Sequence, residues 1–515
     1  MCHSVTDTHT HTHTHARARA RTHSRTHAQK KMRFDENKSQ AMLIARKKGR
    51  GEIKIFLNDK KLEQVKVIKY LGIHFDERLS FYNHIEQIAE KSRALTYMLN
   101  RTAKLNWGLG HKSLKTIYEG AIVPLMTYGA PVWGEAITNR KCLNKLQSAQ
   151  RLINIKIAKA YRTISFEASC VMAGVLPIGI DIGGKIQMYN RIHGRDNCGI
   201  EYDVPLPLNE WPHPAKQVTI IEAKENKIYP LEIYTDGSKD TNLVGAGVAI
   251  YQHKQVIKLS KYRLRSYCSN NQAEQVAILK ALDMIQETET TADKETVIYT
   301  DSKITLDSLK KQTMHGFIIE KIRSRIRQLN EQNWTIHFKW VKAHIGIEGN
   351  ETADKLAKEA AKEDENLHDI YSRIPITAAA RDITKKGLEQ WQKQWDTTEK
   401  GAECRSFFPK VEQRLKQKIP LTPEFTALVT GHGKTKSYLH RFKLTDDPKC
   451  PCNKGQQTPD HIIYDCSIVA AQRSYLMKQV ALSGGTWPPT KEEMTTKYLK
   501  VFTRFVKLID FKNLN

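Results

Sequence analysis

The chain has 515 residues, 40% hydrophobic, 27% charged and 8% aromatic, a globular composition with room for three or four domains that each bury a core. Lys and Arg number 82 against 55 Asp and Glu, a formal charge of +27, so the natural partner is an anionic polymer or an anionic membrane. No apolar run approaches the roughly 18 residues of a spanning helix, which disfavours the membrane and leaves nucleic acid.

Cys2, Cys142, Cys170, Cys198, Cys268 and Cys404 are scattered, as in a reduced, intracellular compartment (nucleus or cytoplasm), and only Cys450, Cys452 and Cys466 cluster. Residues 1–31, MCHSVTDTHTHTHTHARARARTHSRTHAQKK, hold almost no large apolar side chain and are expected to be disordered. Their alternating Thr-His and Ala-Arg pairs read as a translated short tandem repeat, although so many histidines could also bind a metal. No apolar segment follows the charges, so no signal peptide is expected.

From Met32 the pattern becomes globular. Residues 53–75 alternate as strands do, with Asn58-Asp59 as the turn, and residues 84–103 form an amphipathic helix that buries Ile85, Ile88 and Ala89. A mostly helical stretch runs to about residue 195. The Pro-rich run at 204–214 opens a linker over 204–230. Residues 231–362 change rhythm. Strands are predicted at Leu231–Thr235, Gly245–Tyr251 and Gln255–Leu259, a helix at Ala273–Ile285, a strand at Val297–Thr300 and helices at 303–311 and 317–329. A strand alternating Ile336, Phe338 and Trp340 follows, then a helix from about Asn350 with Ala353, Leu356, Ala357 and Ala360 inward. This order describes a multi-domain chain whose central α/β domain is a mixed sheet flanked by helices. Residues 363–515 are basic and largely helical, apart from an irregular island at 446–466.

Carboxylates stand at the ends of apolar elements in the α/β domain. Asp236 and Asp301 close two strands, Glu274 opens a helix and Asp354 lies in the first turn of another. Acids at the carboxyl ends of strands face the crevice where α/β folds bind ligands. Taken singly, each is as well explained as a turn former or helix cap. Taken together, four converging acids repel one another unless hard divalent cations such as Mg2+ neutralise them.

The segments YTDGSK, SNNQAEQVAILKAL, YTDSK and WVKAHIGIEGNETADKLAKEAA resemble the four signature blocks of type-1 ribonuclease H, in the family's order and spacing. The resemblance implies two-metal hydrolysis of the RNA strand of an RNA–DNA hybrid, using two Mg2+ or alternatively Mn2+. Asp236, Glu274, Asp301 and Asp354 become the metal ligands, with Asp236 bridging, and His344 the mobile histidine. It further implies contacts to the hybrid from Gly237, Ser238, Asn270, Asn271, Gln272 and Asn350.

The pieces NKSQAML, VIKYLGIHFD, VPLMTYGAPVW and AYRTISFEASCVMAGVLPI make residues 32–203 similar to the thumb- or connection-like region that follows the palm in non-LTR retrotransposon reverse transcriptases. No Tyr/Phe-x-Asp-Asp motif with a palm sequence precedes them, so the chain is expected to lack polymerase activity and to be truncated at its start. Further on, GHGKTKSYLHRF followed by Cys450, Cys452, His461 and Cys466 resembles the tail of the same polyproteins, and three sulfurs with one imidazole suit Zn2+. Incidental cysteines in a loop are the simpler alternative there. For the whole chain, the alternative is a retrotransposon relic that binds nucleic acid without cutting it.

Overall fold

The computed structural model describes residues 35, 38–44, 54–57, 59–101, 108–195, 199–241, 243–287, 294–362, 369–511 and 514. The low-complexity start and Asn58 of the expected turn lie outside them. The chain divides into two compact units, one made of Met1–Ile186 with Lys386–Asn515, the other of Gln187–Lys385. The two basic flanks, expected as separate regions, therefore fold together.

In the first unit, the helix Tyr82–Leu99 buries Ile85, Ile88 and Ala89 as its periodicity predicts, and it packs with Arg140–Ala158 around Trp133 and Ile73. Trp133 is fully buried because its indole N–H reaches the Tyr128 carbonyl at 2.7 Å. A second core joins distant parts of the chain. Ile164, Cys170 and Met172 pack with Trp395, Phe407, Phe425, Cys450, Cys466 and Phe502. The Thr426 hydroxyl donates to the Ala158 carbonyl at 2.6 Å, so this junction is hydrogen-bonded as well as apolar. Among the described residues no single helix is long and apolar enough to cross a membrane.

The second unit carries a six-stranded mixed sheet. Its strands are β1 (Ile221–Glu222), β2 (Leu231–Asp240), β3 (Leu243–Gln252), β4 (Gln255–Leu264), β5 (Glu295–Thr300) and β6 (Thr335–Trp340), in the order β4-β3-β2-β5-β6-β1. The first three long strands pair antiparallel, and β5, β6 and β1 continue the sheet in parallel. Helices α1 (Asn270–Glu287), α2 (Lys303–Lys310), α3 (Phe317–Glu331) and α4 (Glu348–Lys362) flank it. The apolar spacing of α1 and α3 explains the core: Ile278, Leu282 and Ile285 meet Ile318, Ile322 and Ile326 over the buried faces of β2 and β5.

Several expectations change. The supposed linker 204–230 supplies β1 and buries Val218 in the core. Residues beyond 362 also pack against the edge of the sheet. Asp369 pairs with Arg263 at 3.0 Å and Arg265 at 2.8 Å, and Tyr371 bridges to Leu264. Finally, Trp340 is 49% exposed rather than inward, its indole N–H donating to the Asp301 carbonyl at 3.0 Å. Leu356 is only half-buried, whereas Ala353, Ala357 and Ala360 face the core.

Candidate active site

Strand register sets the first two acids. β2 and β5 run parallel with Thr235 opposite Thr300, so the next residues, Asp236 and Asp301, emerge side by side where the two strands part. Asp236 does not end its strand; β2 runs on to Asp240, paired only with β3 from that point.

Two glycines bring the other two acids close. A Cβ on Gly237 would stand 2.4 Å from the Glu274 nitrogen, so only glycine lets the start of α1 settle on β2. Across from Asp236 sits Gly247, whose Cβ would lie 2.1 Å from the Ala353 carbonyl. With no side chain there, the alanine face of α4 lies directly on β3 and carries Asp354 to Asp236.

Oxygens of Asp236, Glu274 and Asp301 lie within 4.8 Å of one another. Burial, followed by the charges of Asp301 and Asp354, pushes the Asp236 carboxyl up to about 8, while the Gly237 N–H pulls the other way. Burial and then Asp236 and Asp301 hold Glu274 well above the usual carboxylate range. Asp301 is raised by burial, opposed by its own N–H and by His344. The Glu274 Oε2 is buried without a hydrogen-bond partner. Anionic oxygens this crowded, one of them unsatisfied, fit a hard cation. Opposite ligands of an octahedral Mg2+ stand about 4.2 Å apart, so a small inward movement would close the three around one ion.

Asp354 lies outside that trio, close enough to Asp236 for its charge to raise that carboxyl, and is ion-paired with Lys358 at 2.6 Å. The Asp-Lys spacing of four residues on a helix was a signal for this pair. His344 is exposed in the loop before α4, with left-handed backbone (φ 54°), near enough to Asp301 for its charge to be felt. Asn350 is buried and its Oδ1 is unpartnered.

The residues expected to touch the hybrid separate into two groups. Asn270 is exposed and Ser238 half-buried, both free to meet a ligand. Asn271 accepts from the Thr305 hydroxyl at 3.5 Å, tying α1 to α2. Gln272 is buried and its groups are spent on the fold. Its Oε1 accepts from the Ser269 N–H at 2.9 Å while Ser269 Oγ accepts from its own N–H at 3.2 Å, a reciprocal helix cap. Its amide donates to Asp203 at 2.7 Å. Gly237 acts through close packing, as above.

In the other unit, Cys450, Cys452, His461 and Cys466 also offer ligand atoms within 4.8 Å of one another. The Cys450 and Cys466 sulfurs are 3.6 Å apart, and Cys452 Sγ is 3.1 Å from His461 Nε2. Tetrahedral Zn2+ with bonds of about 2.3 Å to sulfur places two sulfurs about 3.8 Å apart, whereas a disulfide needs about 2.05 Å. The four residues fit Zn2+. Burial pushes the Cys450 thiol up to about 11; at Cys452 burial is outweighed by the Lys454 N–H, Cys450 and His461, which hold it at about 6.

Residues 229–362 match the RNase H family model, and this part of the chain is a ribonuclease H domain. Over 153 residues the chain is 39% identical to the Pol polyprotein of the type-1 retrotransposable element R1 4 of Nasonia vitripennis, covering 29% of this chain and 38% of that protein. A ribonuclease H of Actinobacillus succinogenes is 28% identical over 151 residues, which cover 26% of this chain and 90% of that one. The crystal structure of RNase H1 from Halobacterium salinarum aligns at 21% identity and a TM-score of 0.21, covering 25% of this chain and 96% of that one.

Proposed function

We propose that the chain hydrolyses the RNA strand of RNA–DNA hybrids, cutting internally, as part of a retrotransposon-derived polyprotein. The carrying observation is the convergence of Asp236, Glu274 and Asp301 at the parting of two parallel strands, with Asp354 beside them, inside a ribonuclease H domain. Asp236, Glu274 and Asp301 would hold one Mg2+, and Asp236 with Asp354 a second; Mn2+ would serve in the same place. The ions would supply Lewis acidity for displacement at phosphorus. The Asp354–Lys358 ion pair steadies the fourth carboxylate, the Gly237 N–H favours the charged forms of Asp236 and Glu274, and exposed His344 would assist proton movement or product departure. Exposed Asn270 and half-buried Ser238 would be the residues that read the ribose hydroxyls.

The test is the full chain with Mg2+ on a labelled hybrid beside an RNA duplex of the same sequence. Internal cuts in the RNA of the hybrid alone are expected, lost when Mg2+ is withheld. A folded, metal-loaded chain that binds hybrid but never cuts it would establish the binding-only alternative. A polypeptide of these 515 residues is also expected to add no deoxynucleotides to a primed template; incorporation above background would overturn that expectation.

Gly237→Ala is expected to slow cleavage about a hundredfold or more, because an ångström-scale shift of Glu274 misplaces a ligand. The overpacked methyl should also destabilise the unit by about 1–3 kcal/mol. Single-turnover rates and a urea titration measure the two effects, and a rate near wild type would refute this account of the glycine.

The Cys/His cluster is proposed to hold one Zn2+ as a structural ion of the first unit. Basic residues near it in sequence (Lys436, Arg441 and Lys443, with Lys434 ion-paired to Glu424) would suit contact with nucleic acid, the alternative being a solvated face.

A further inference from the structure

The unit formed by the two flanks contains a cavity of about 320 Å³ lined by cations from both. His111, Lys112 and Lys115 come from the first flank, Arg414 and Lys418 from the second, and among the described lining residues there is no Asp or Glu. Lys115 reaches the Gly174 carbonyl at 2.8 Å and lies 3.7 Å from Glu119.

Arg414 is 6% exposed. One of its terminal nitrogens donates to the Met172 carbonyl, but its Nε has no hydrogen-bond partner. A buried guanidinium without a carboxylate is costly, since it has given up water and gained no counter-charge. A second cation sits beside it. A Cβ built on Gly174 would stand 3.6 Å from Lys115 Nζ and 3.8 Å from Arg414 Nη1, so both charges converge on a point kept clear of a side chain. Burial lowers the Arg414 guanidinium to about 10, and no carboxylate is among the groups acting on it. His111 is held down too, by burial and then by Lys112, Arg414 and Lys159.

We propose that this cavity is a phosphate site for a nucleic-acid strand, with Arg414 and Lys115 gripping one phosphate and the exposed Lys112 and Lys418 meeting its neighbours at the rim. A phosphate at the point where Lys115 Nζ and Arg414 Nη1 converge would accept charge-assisted hydrogen bonds from both. The rim lysines favour a strand over a free small anion, because they extend the cationic surface past a single phosphate. The site stands apart from hybrid cleavage, and its test needs no Mg2+.

The full chain is titrated with a labelled single-stranded DNA at several salt concentrations, by fluorescence anisotropy. Lys112→Glu with Lys418→Glu, both exposed and so harmless to the fold, is expected to weaken binding about tenfold or more. It should also flatten the slope of log K against log salt by about 0.7 for each phosphate that the variant no longer neutralises. Arg414→Gln, with folding checked by circular dichroism, is expected to weaken binding similarly. Inorganic phosphate should compete with the strand and raise the thermal midpoint of the wild type, but not that of Arg414→Gln. Wild-type affinity and slope in the folded rim variant overturn the proposal. Stabilisation by phosphate together with unaltered strand binding overturns it as well, leaving a small-anion site only.

Discussion

Asp236→Asn is expected to abolish hybrid cleavage while stabilising the metal-free fold. The substitution keeps the shape of the side chain and its place at the parting of the strands, but removes the one carboxylate that neighbours Glu274, Asp301 and Asp354 together. If that group shares two ions, the rate should fall by at least about a thousandfold, more than 4 kcal/mol of lost transition-state stabilisation. The opposite sign for stability follows from electrostatics. Without a cation, Asp236 is buried against like charges, and a perturbation of even one pKa unit is worth about 1.4 kcal/mol. Relieving it should raise the thermal midpoint of the second unit by a few degrees in metal-free buffer. Added Mg2+ should stabilise the wild type more than the variant. Rate and midpoint are measured on one preparation, and undiminished cleavage by Asp236→Asn would remove the metal assignment.

Loss of Zn2+ is expected to unfold far more than a loop. The protein should purify with about one equivalent of tightly held zinc, as a closed four-ligand site requires. In zinc-finger peptides such an ion contributes about 10–16 kcal/mol to folding. Here Cys450 and Cys466 are buried in the same core as Ile164, Met172, Phe425 and Phe502, so they are structural members of the core that joins the two flanks in the first unit. Cys452→Ser or a strong chelator should therefore lower that unit's thermal midpoint by about 10 °C or more. Hydrogen exchange should accelerate around 158–172 as well as 450–466. Cleavage should persist once Mg2+ is restored, because residues 187–385 have a hydrophobic core of their own. Zinc-free protein from reducing, zinc-supplied medium would return the four residues to incidental status.

Much of the α/β unit was legible because its signals are local. The alternation in Ile233, the period of Ile278, Leu282 and Ile285, and the acids at element ends each need only a few consecutive residues to be seen. The roles of Gly237 and Gln272 were not legible in the same way. A glycine after an acid looks like a turn or a ligand contact until a helix is seen packed against it. Gln272 looked available because its partners, Ser269 apart, come from elsewhere: Asp203 lies 69 residues before it. Strand β1 went unseen in the supposed linker, since two residues that pair with an existing edge carry no period of their own.

By itself, the sequence determined the order of elements in the central unit, its apolar faces, the identity of the crowded acids and the Cys/His cluster. These are set by side-chain chemistry and by periods of two and 3.6 residues, which are written along the chain. Only the tertiary structure decided that the two flanks share one core, that Asp354 stands beside the trio rather than within it, and that Arg414 and Lys115 converge beside Gly174. Those facts depend on which distant segments meet. That is settled by the joint burial of apolar surface from residues hundreds of positions apart, for which no local pattern exists.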